Sequence, residues 1–249
     1  MKIQEIKEKL FSRSNKKKEL IDVINFSNKF LSIKSSAFNF DTQVKKEFEN
    51  LYSILKIEDS LTKLFNGEKI NTTEDKAALH WQARDPNSKV YKDLFKKSKE
   101  LKKQLKKDSI KNIVTLGIGG SYEGPKLLIE SFSSPTTFKY KHIFITGSDN
   151  EEFKEKISEL NQKETIFIIS SKSMNSIEVM NNFKLAKKWM SLKLNNSSLA
   201  DRFYSITSNI KEAYRQGIKE KNIMYLKEEV GGRYSVWSEV SLTSLIESE

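Results

Sequence analysis

Three short segments carry residue types that could do chemistry. In 117–125, GIGGSYEGP, four of the chain's nine glycines fall within nine residues. Glycine lets a backbone turn sharply and bring its N–H groups close to a ligand. If a helix starts there, its N-terminus favours an anion. The spacing lacks the Gly-Lys-Ser/Thr ending of a nucleotide P-loop and is not the dinucleotide fingerprint. The plain alternative is a tight strand-to-helix turn with Ser121 as N-cap. In 170–176, SSKSMNS, four hydroxyls and one ammonium fall together. A phosphate dianion wants several donors and no carboxylate, and this segment has that inventory. The alternative is a polar capping loop with Ser173 or Asn175 as the cap. In 230–238, VGGRYSVWS, paired glycines precede Arg233. They suggest a tight turn that presents a guanidinium, against the alternative of an arginine in a surface ion pair. Tyr234 and Trp237 are expected in the core.

A fourth segment, 71–84 (NTTEDKAALHWQAR), looks like a capping-box helix start, with Thr72 or Thr73 as cap and Glu74 in the first turn. His80 within it is read as a hydrogen-bonded structural histidine. His142 opens a strand and carries no signal. These are the chain's two histidines, and it has no cysteine. Disulfides and thiolate metal sites are therefore excluded, and neither histidine lies in a ligand-spaced cluster. No metal and no cofactor are expected.

The elements that must position these segments follow from periodicity. Segments 3–12, 16–33 and 42–65 space apolar residues three and four apart among Lys and Glu, which predicts helices. Asp41 or Thr42 could cap the third. A short helix fits 73–83. Residues 89–107 are amphipathic, with Val90, Leu94, Leu101 and Leu105 on one side and lysine around the rest. From 112 the pattern changes. Strands are predicted at 112–116 (NIVTL), 142–146 (HIFIT), 165–170 (TIFIIS), 203–207 (FYSIT) and, weakly, 222–225. Helices fall between them near 124–132, 150–159, 175–192 and 208–216. Strands alternating with helices call for crossovers and a parallel sheet covered on both faces. The expected fold is α/β, a parallel four- or five-stranded sheet between helices, with 1–110 as an N-terminal helical arm and 111–249 as the sheet domain. In such sheets ligands bind beyond the carboxyl ends of the strands, which is where the first two segments lie.

At 249 residues the chain is long enough for a sizeable core. No apolar run approaches a membrane span, and residues 1–18 have no secretory pattern. A soluble, cytoplasmic protein with no membrane partner is expected. The net charge is +11, yet only five of the 44 basic residues are arginine. Base-edge and phosphate readers favour the bidentate guanidinium. Lysine here is spread along the chain among acids, so a solvated surface is expected rather than specific nucleic-acid recognition.

Taken together, the segments resemble the glucose-6-phosphate isomerase family. Residues 117–125 are similar to its G-I-G-G-S-x-x-G-P segment, and 171–176 (SKSMNS) to its phosphate loop, S-K-T-F-T-T. Residues 230–238 are similar to its V-G-G-R-[FY]-S-x-W-S signature, and 71–84 to N-x-T-E-x-R-A-x-L-H-x-x-x-R. Weaker echoes are Asp149 and 207–209. The matches run in the family's order over residues 70 to 238. There are departures. Tyr122 stands where the family has an acid, and Lys76 where it has an arginine. Ser173, Asn175 and Ser176 stand for the phosphate-loop threonines.

The resemblance implies a sugar-isomerase (SIS) type domain, flavodoxin-like in its three layers. It implies a sugar phosphate gripped by Gly120, Ser121, Ser171, Lys172, Ser173 and Ser176. It also implies that Arg233 stabilises an enediolate between glucose 6-phosphate and fructose 6-phosphate, a step of glycolysis and gluconeogenesis. The family is dimeric and continues into a second SIS domain that holds the glutamate base and the histidine and lysine of ring opening. This chain stops at Glu249, and no glutamate aligns with that base; Glu239 matches no family motif. A truncated or partial isomerase chain without its base is expected. The alternative is a non-catalytic sugar-phosphate-binding module, which would need the phosphate loop but would have no use for an arginine facing an enediolate.

Overall fold

The computed structural model describes residues 24–29, 32–35, 42–132 and 138–247. The chain divides into two compact units, Met1–Ala77 and Ala78–Glu249. The helix expected at 3–12 and the cap at Asp41 lie outside the described residues.

In the first unit, β1 (Ile24–Ser27) and β2 (Ser32–Ser35) form an antiparallel pair with Phe26 opposite Ile33. This corrects the helix expected over 16–33. Ile24 and Phe26 are two apart, a strand period that a short window of mixed spacings conceals. The single helix expected over 42–65 is two, α1 (Thr42–Ile54) and α2 (Ile57–Phe65). The apolar stripe explains the break. It runs 44, 48, 51, 55 and then restarts at 57, 61, 64, a step of two that no continuous helix can keep on one face. Lys56 takes a left-handed conformation, φ 49°, at the junction. The helix start expected near 73 is instead a turn. Asn71 O accepts from the amides of Glu74 and Lys76, Thr73 Oγ donates to Asn71 Oδ1 at 2.7 Å, and Asp75 has φ 49°. Local side-chain bonding competes with the helix there and wins.

The second unit opens with a 3₁₀ turn, His80–Arg84, and α3 (Lys89–Lys107), capped by Ser88, whose hydroxyl accepts Tyr91 N at 3.0 Å. Then follow β3 (Asn112–Gly117), α4 (Gly120–Phe132), β4 (Lys141–Ile145) and α5 (Asn150–Ile157). After them come β5 (Thr165–Ser170), α6 (Ile177–Ser191) and α7 (Asn196–Ala200). The chain continues through β6 (Phe203–Thr207), α8 (Ile210–Arg215) and β7 (Ile223–Tyr225). Two 3₁₀ turns, Gly232–Trp237 and Glu239–Ser241, lead into α9 (Leu242–Leu245).

The five strands β3–β7 form one sheet of order β4-β3-β5-β6-β7, parallel throughout. β3 and β5 are buried at every residue, as strands covered on both faces must be, and read as apolar runs for that reason. Alternate residues feed two cores. Ile113, Ile166, Ile168, Tyr204 and Ile206 share one with Leu94, Leu101 and Leu105 of α3 and with Val240 and Leu242. Val114, Leu116, Phe167, Ile169 and Phe203 share the other with Phe153 and Ile157 of α5 and with Val179, Phe183 and Met190 of α6. The architecture is three layers, and α3, which ends at Lys107, is one of the covers of the sheet. From β3 the chain steps to one side for β4 and to the other for β5. In an open α/β sheet that reversal leaves a crevice at the carboxyl ends of the two strands.

Candidate functional site

Both loops that flank this crevice are glycine-rich or hydroxyl-rich. After β3, Gly119 adopts φ 53°, and the chain turns directly into α4 at Gly120. Ser121 lies inside the first helical turn rather than at the N-cap, and its amide donates to Ile118 O at 3.2 Å. Tyr122 is absorbed structurally. Its ring meets Phe144 edge-on, and Lys126 donates to its hydroxyl at 2.8 Å.

After β5 the loop is shaped by Met174. Its side chain is buried while its backbone sits at φ 55°, an uncommon conformation for a residue with a side chain. Burying Met174 leaves Ser173 and Asn175 exposed. Ser173 Oγ donates to Asn175 Oδ1. Ser171 is buried, 3.4 Å from Ser176 between hydroxyl oxygens. Ser176 is the N-cap of α6, yet its side chain takes none of the first amides, so the positive end of a 15-residue helix is not capped by its own serine. The loop is braced from below. Thr207 Oγ donates to Lys172 O at 2.9 Å, and Asn209 Nδ2 donates to Ser173 O at 3.2 Å. Ser170, which pairs with Gly117 in the sheet, has a buried hydroxyl with no partner among the described residues.

The third segment joins these two. A Cβ placed on Gly120 would fall 2.0 Å from Gly232 O, and one on Gly124 would fall 3.1 Å from Val236 Cβ. The start of α4 and the Gly231-Gly232-Arg233 turn therefore meet backbone to backbone, and only glycine permits it. On the other side Lys172 Nζ donates to Glu228 O at 2.5 Å and Val230 O at 3.3 Å. The ammonium expected over the phosphate loop spends two of its donors on the arginine-bearing segment. Arg233 is exposed, 5.5 Å from the Tyr234 ring centroid, with no carboxylate at ion-pair distance among the described residues. Among the described residues, the surface ion pair considered for it is not formed.

Gly120, Ser121, Lys172 and Arg233 are thus brought together through their segments. Ser171, Ser173 and Ser176 cluster on the neighbouring loop of the crevice. Glu239 is committed elsewhere, 3.0 Å from Lys97 of α3. Two expectations need correction. Tyr234 and Trp237 are each 49% exposed rather than core. His80 is held by ring stacking on Tyr234, centroids 4.5 Å apart and planes 15° apart, rather than by a hydrogen bond. Burial, and then the charge of Arg84, push its pKa below the ordinary histidine value. Stacking leaves no periodicity, so it was not legible.

The family model for phosphoglucose isomerase matches residues 35–248. The glucose-6-phosphate isomerase of Buchnera aphidicola subsp. Cinara cedri (strain Cc) is 31% identical over 241 residues, 89% of this chain and 44% of that protein. That of Ectopseudomonas mendocina (strain ymp) is 31% identical over 75% of this chain and 37% of its own length. Among solved structures, a glucose-6-phosphate isomerase from Chlamydia trachomatis D/UW-3/Cx superposes with a TM-score of 0.64 at 21% identity, over 82% of this chain and 42% of that one. The fold is shared. The chain spans less than half the length of the curated relatives it matches.

Proposed function

The chain belongs to the phosphoglucose isomerase family, and from that premise we propose that it forms the phosphate-gripping, arginine-bearing part of a glucose-6-phosphate isomerase site. The hydroxyls of Ser121, Ser171, Ser173 and Ser176, Lys172 and the N-terminal amides of α6 offer the donors a phosphate dianion needs. Isomerisation of the bound aldose removes the C2 proton, passes through an enediolate and returns a proton to C1. Negative charge develops on the C1 and C2 oxygens, and an exposed Arg233, with no ion pair among the described residues, is suited to stabilise it.

One observation carries this reading: the backbone approach of Gly120 to Gly232, which fuses the phosphate side of the crevice to the arginine turn. A module that only bound sugar phosphate would not require that junction. This reading assigns the base to the family's second half; within the chain, Glu239 is engaged by Lys97 at 3.0 Å. As in the family, the working enzyme would then be dimeric, with a second SIS domain supplying the base.

The test is a coupled assay of fructose 6-phosphate formation, run on this chain and on the chain extended with the family's second half. The short chain is expected to fall below about 1 s⁻¹, the low end of enzyme turnover. Turnover above that by the short chain alone contradicts the division of labour. Glu123, Glu178 and Glu239 would then be the carboxylates to substitute.

A further inference from the structure

The segment that delivers Arg233 is held on both flanks. Lys172 grips it from the β5 side through Glu228 O and Val230 O. Residues 79–82 grip it from the other. Leu79 N donates to Glu229 O at 3.2 Å, Lys227 Nζ donates to Gln82 Oε1 at 2.9 Å, and His80 stacks on Tyr234. Three holds within four residues meet 227, 229 and 234, so the 3₁₀ turn acts as a strap across the arginine loop. Tyr234 is half-exposed. Its ring is contacted by the imidazole and, at 5.5 Å, by the Arg233 guanidinium. An aromatic face supports a cation only where the face is still.

From this we infer that His80 is a positioning residue, whose ring fixes Tyr234 and through it the guanidinium of Arg233. Its ligand consequence rests on the isomerase reading above; its mechanical consequence does not. His80 sits well away in sequence from the loop it would control, and it makes its contact through a ring face. A phenylalanine should therefore serve as well as histidine, whereas alanine should not. A residue holding the fold in general would not discriminate in that way, nor act only through Arg233.

The experiment uses the 249-residue chain and two readouts. The first is the NMR order parameter of the Arg233 Nε–H vector, with no ligand present. It should fall clearly in His80→Ala and stay at the wild-type value in His80→Phe. His80→Leu keeps bulk without a flat face and repeats the comparison if the alanine variant unfolds. Equal order parameters in His80→Phe and in the alanine or leucine variant overturn the inference.

The second is calorimetry with a five-carbon phosphorylated aldonate, whose planar carboxylate sits where the enediolate charge would develop. His80→Ala should weaken its binding about three- to fivefold, His80→Phe should not, and the loss should vanish in an Arg233→Ala background. A loss that persists there overturns the inference while leaving the isomerase reading intact. Failure of the wild-type chain to bind any phosphorylated sugar or aldonate overturns the isomerase reading, and the order parameter still decides the role of His80.

Discussion

Gly120 has no room for a side chain. Any Cβ meets the carbonyl oxygen of Gly232, a backbone atom that cannot rotate away. Gly120→Ala should force the α4 start and the arginine turn apart, costing about 1–3 kcal/mol, the range for overpacking a tight site. Thermal or urea unfolding measures it, and a wild-type midpoint in the alanine variant would mean the two segments do not meet. Ser173 is different. It is exposed and bonded locally to Asn175, so the fold should not need it. Ser173→Ala should leave stability within about 0.5 kcal/mol and weaken a phosphorylated sugar by about 1.5–3 kcal/mol, one hydrogen bond to a charged group. Unchanged affinity would remove Ser173 from the grip. At this scale the glycines, serines and Arg233 were legible as candidates, because a phosphate and an enediolate would call for those residue types. The stacking of His80 on Tyr234 was not, since either ring could as readily have joined the core.

Among the elements, the strands were legible to within a residue or so. β5 and β6 coincide with TIFIIS and FYSIT because fully buried parallel strands leave unbroken apolar runs. The first unit was not, because turn bonding at 71–76 and the two-residue spacing around Phe26 overrode the helical pattern. The end of the described chain shows another effect invisible in sequence. Glu247, almost wholly buried, accepts from Lys139 N at 3.0 Å and Tyr140 N at 3.1 Å and lies 2.9 Å from His142 Nε2. It thereby pins the C-terminal segment to the start of β4. Burial raises the Glu247 pKa, but the hydrogen bonds from His142 and from the Lys139 and Tyr140 amides outweigh it, and the net shift is downward. A depressed carboxylate pKa contributes stability that is present above the unfolded-state value and lost as pH falls through the folded one. Glu247→Gln should therefore lower the melting temperature near pH 7, and the gap to wild type should close as the pH falls below about 4. A gap that stayed constant with pH would show that the carboxylate's charge is not what holds the segment.

For the whole molecule, the +11 charge is unevenly carried, with nine lysines and two acids in α3, while many lysines are paired. Lys63, Lys97, Lys111, Lys154, Lys156, Lys219 and Lys221 each pair with a carboxylate. Duplex DNA should bind weakly and with steep salt dependence. Sequence-selective binding below micromolar at physiological salt would contradict this. Several large apolar side chains stand open, among them Ile177 at 74% and Leu127 at 62% exposure, beside the half-exposed Tyr234 and Trp237. The central claim is a phosphate grip at the crevice between β3 and β5. It is tested most directly by titrating the chain calorimetrically with glucose 6-phosphate and with glucose under the same conditions. The account predicts saturable binding of the phosphorylated sugar and none of the bare one at the same concentration; equal affinity for the two would contradict it.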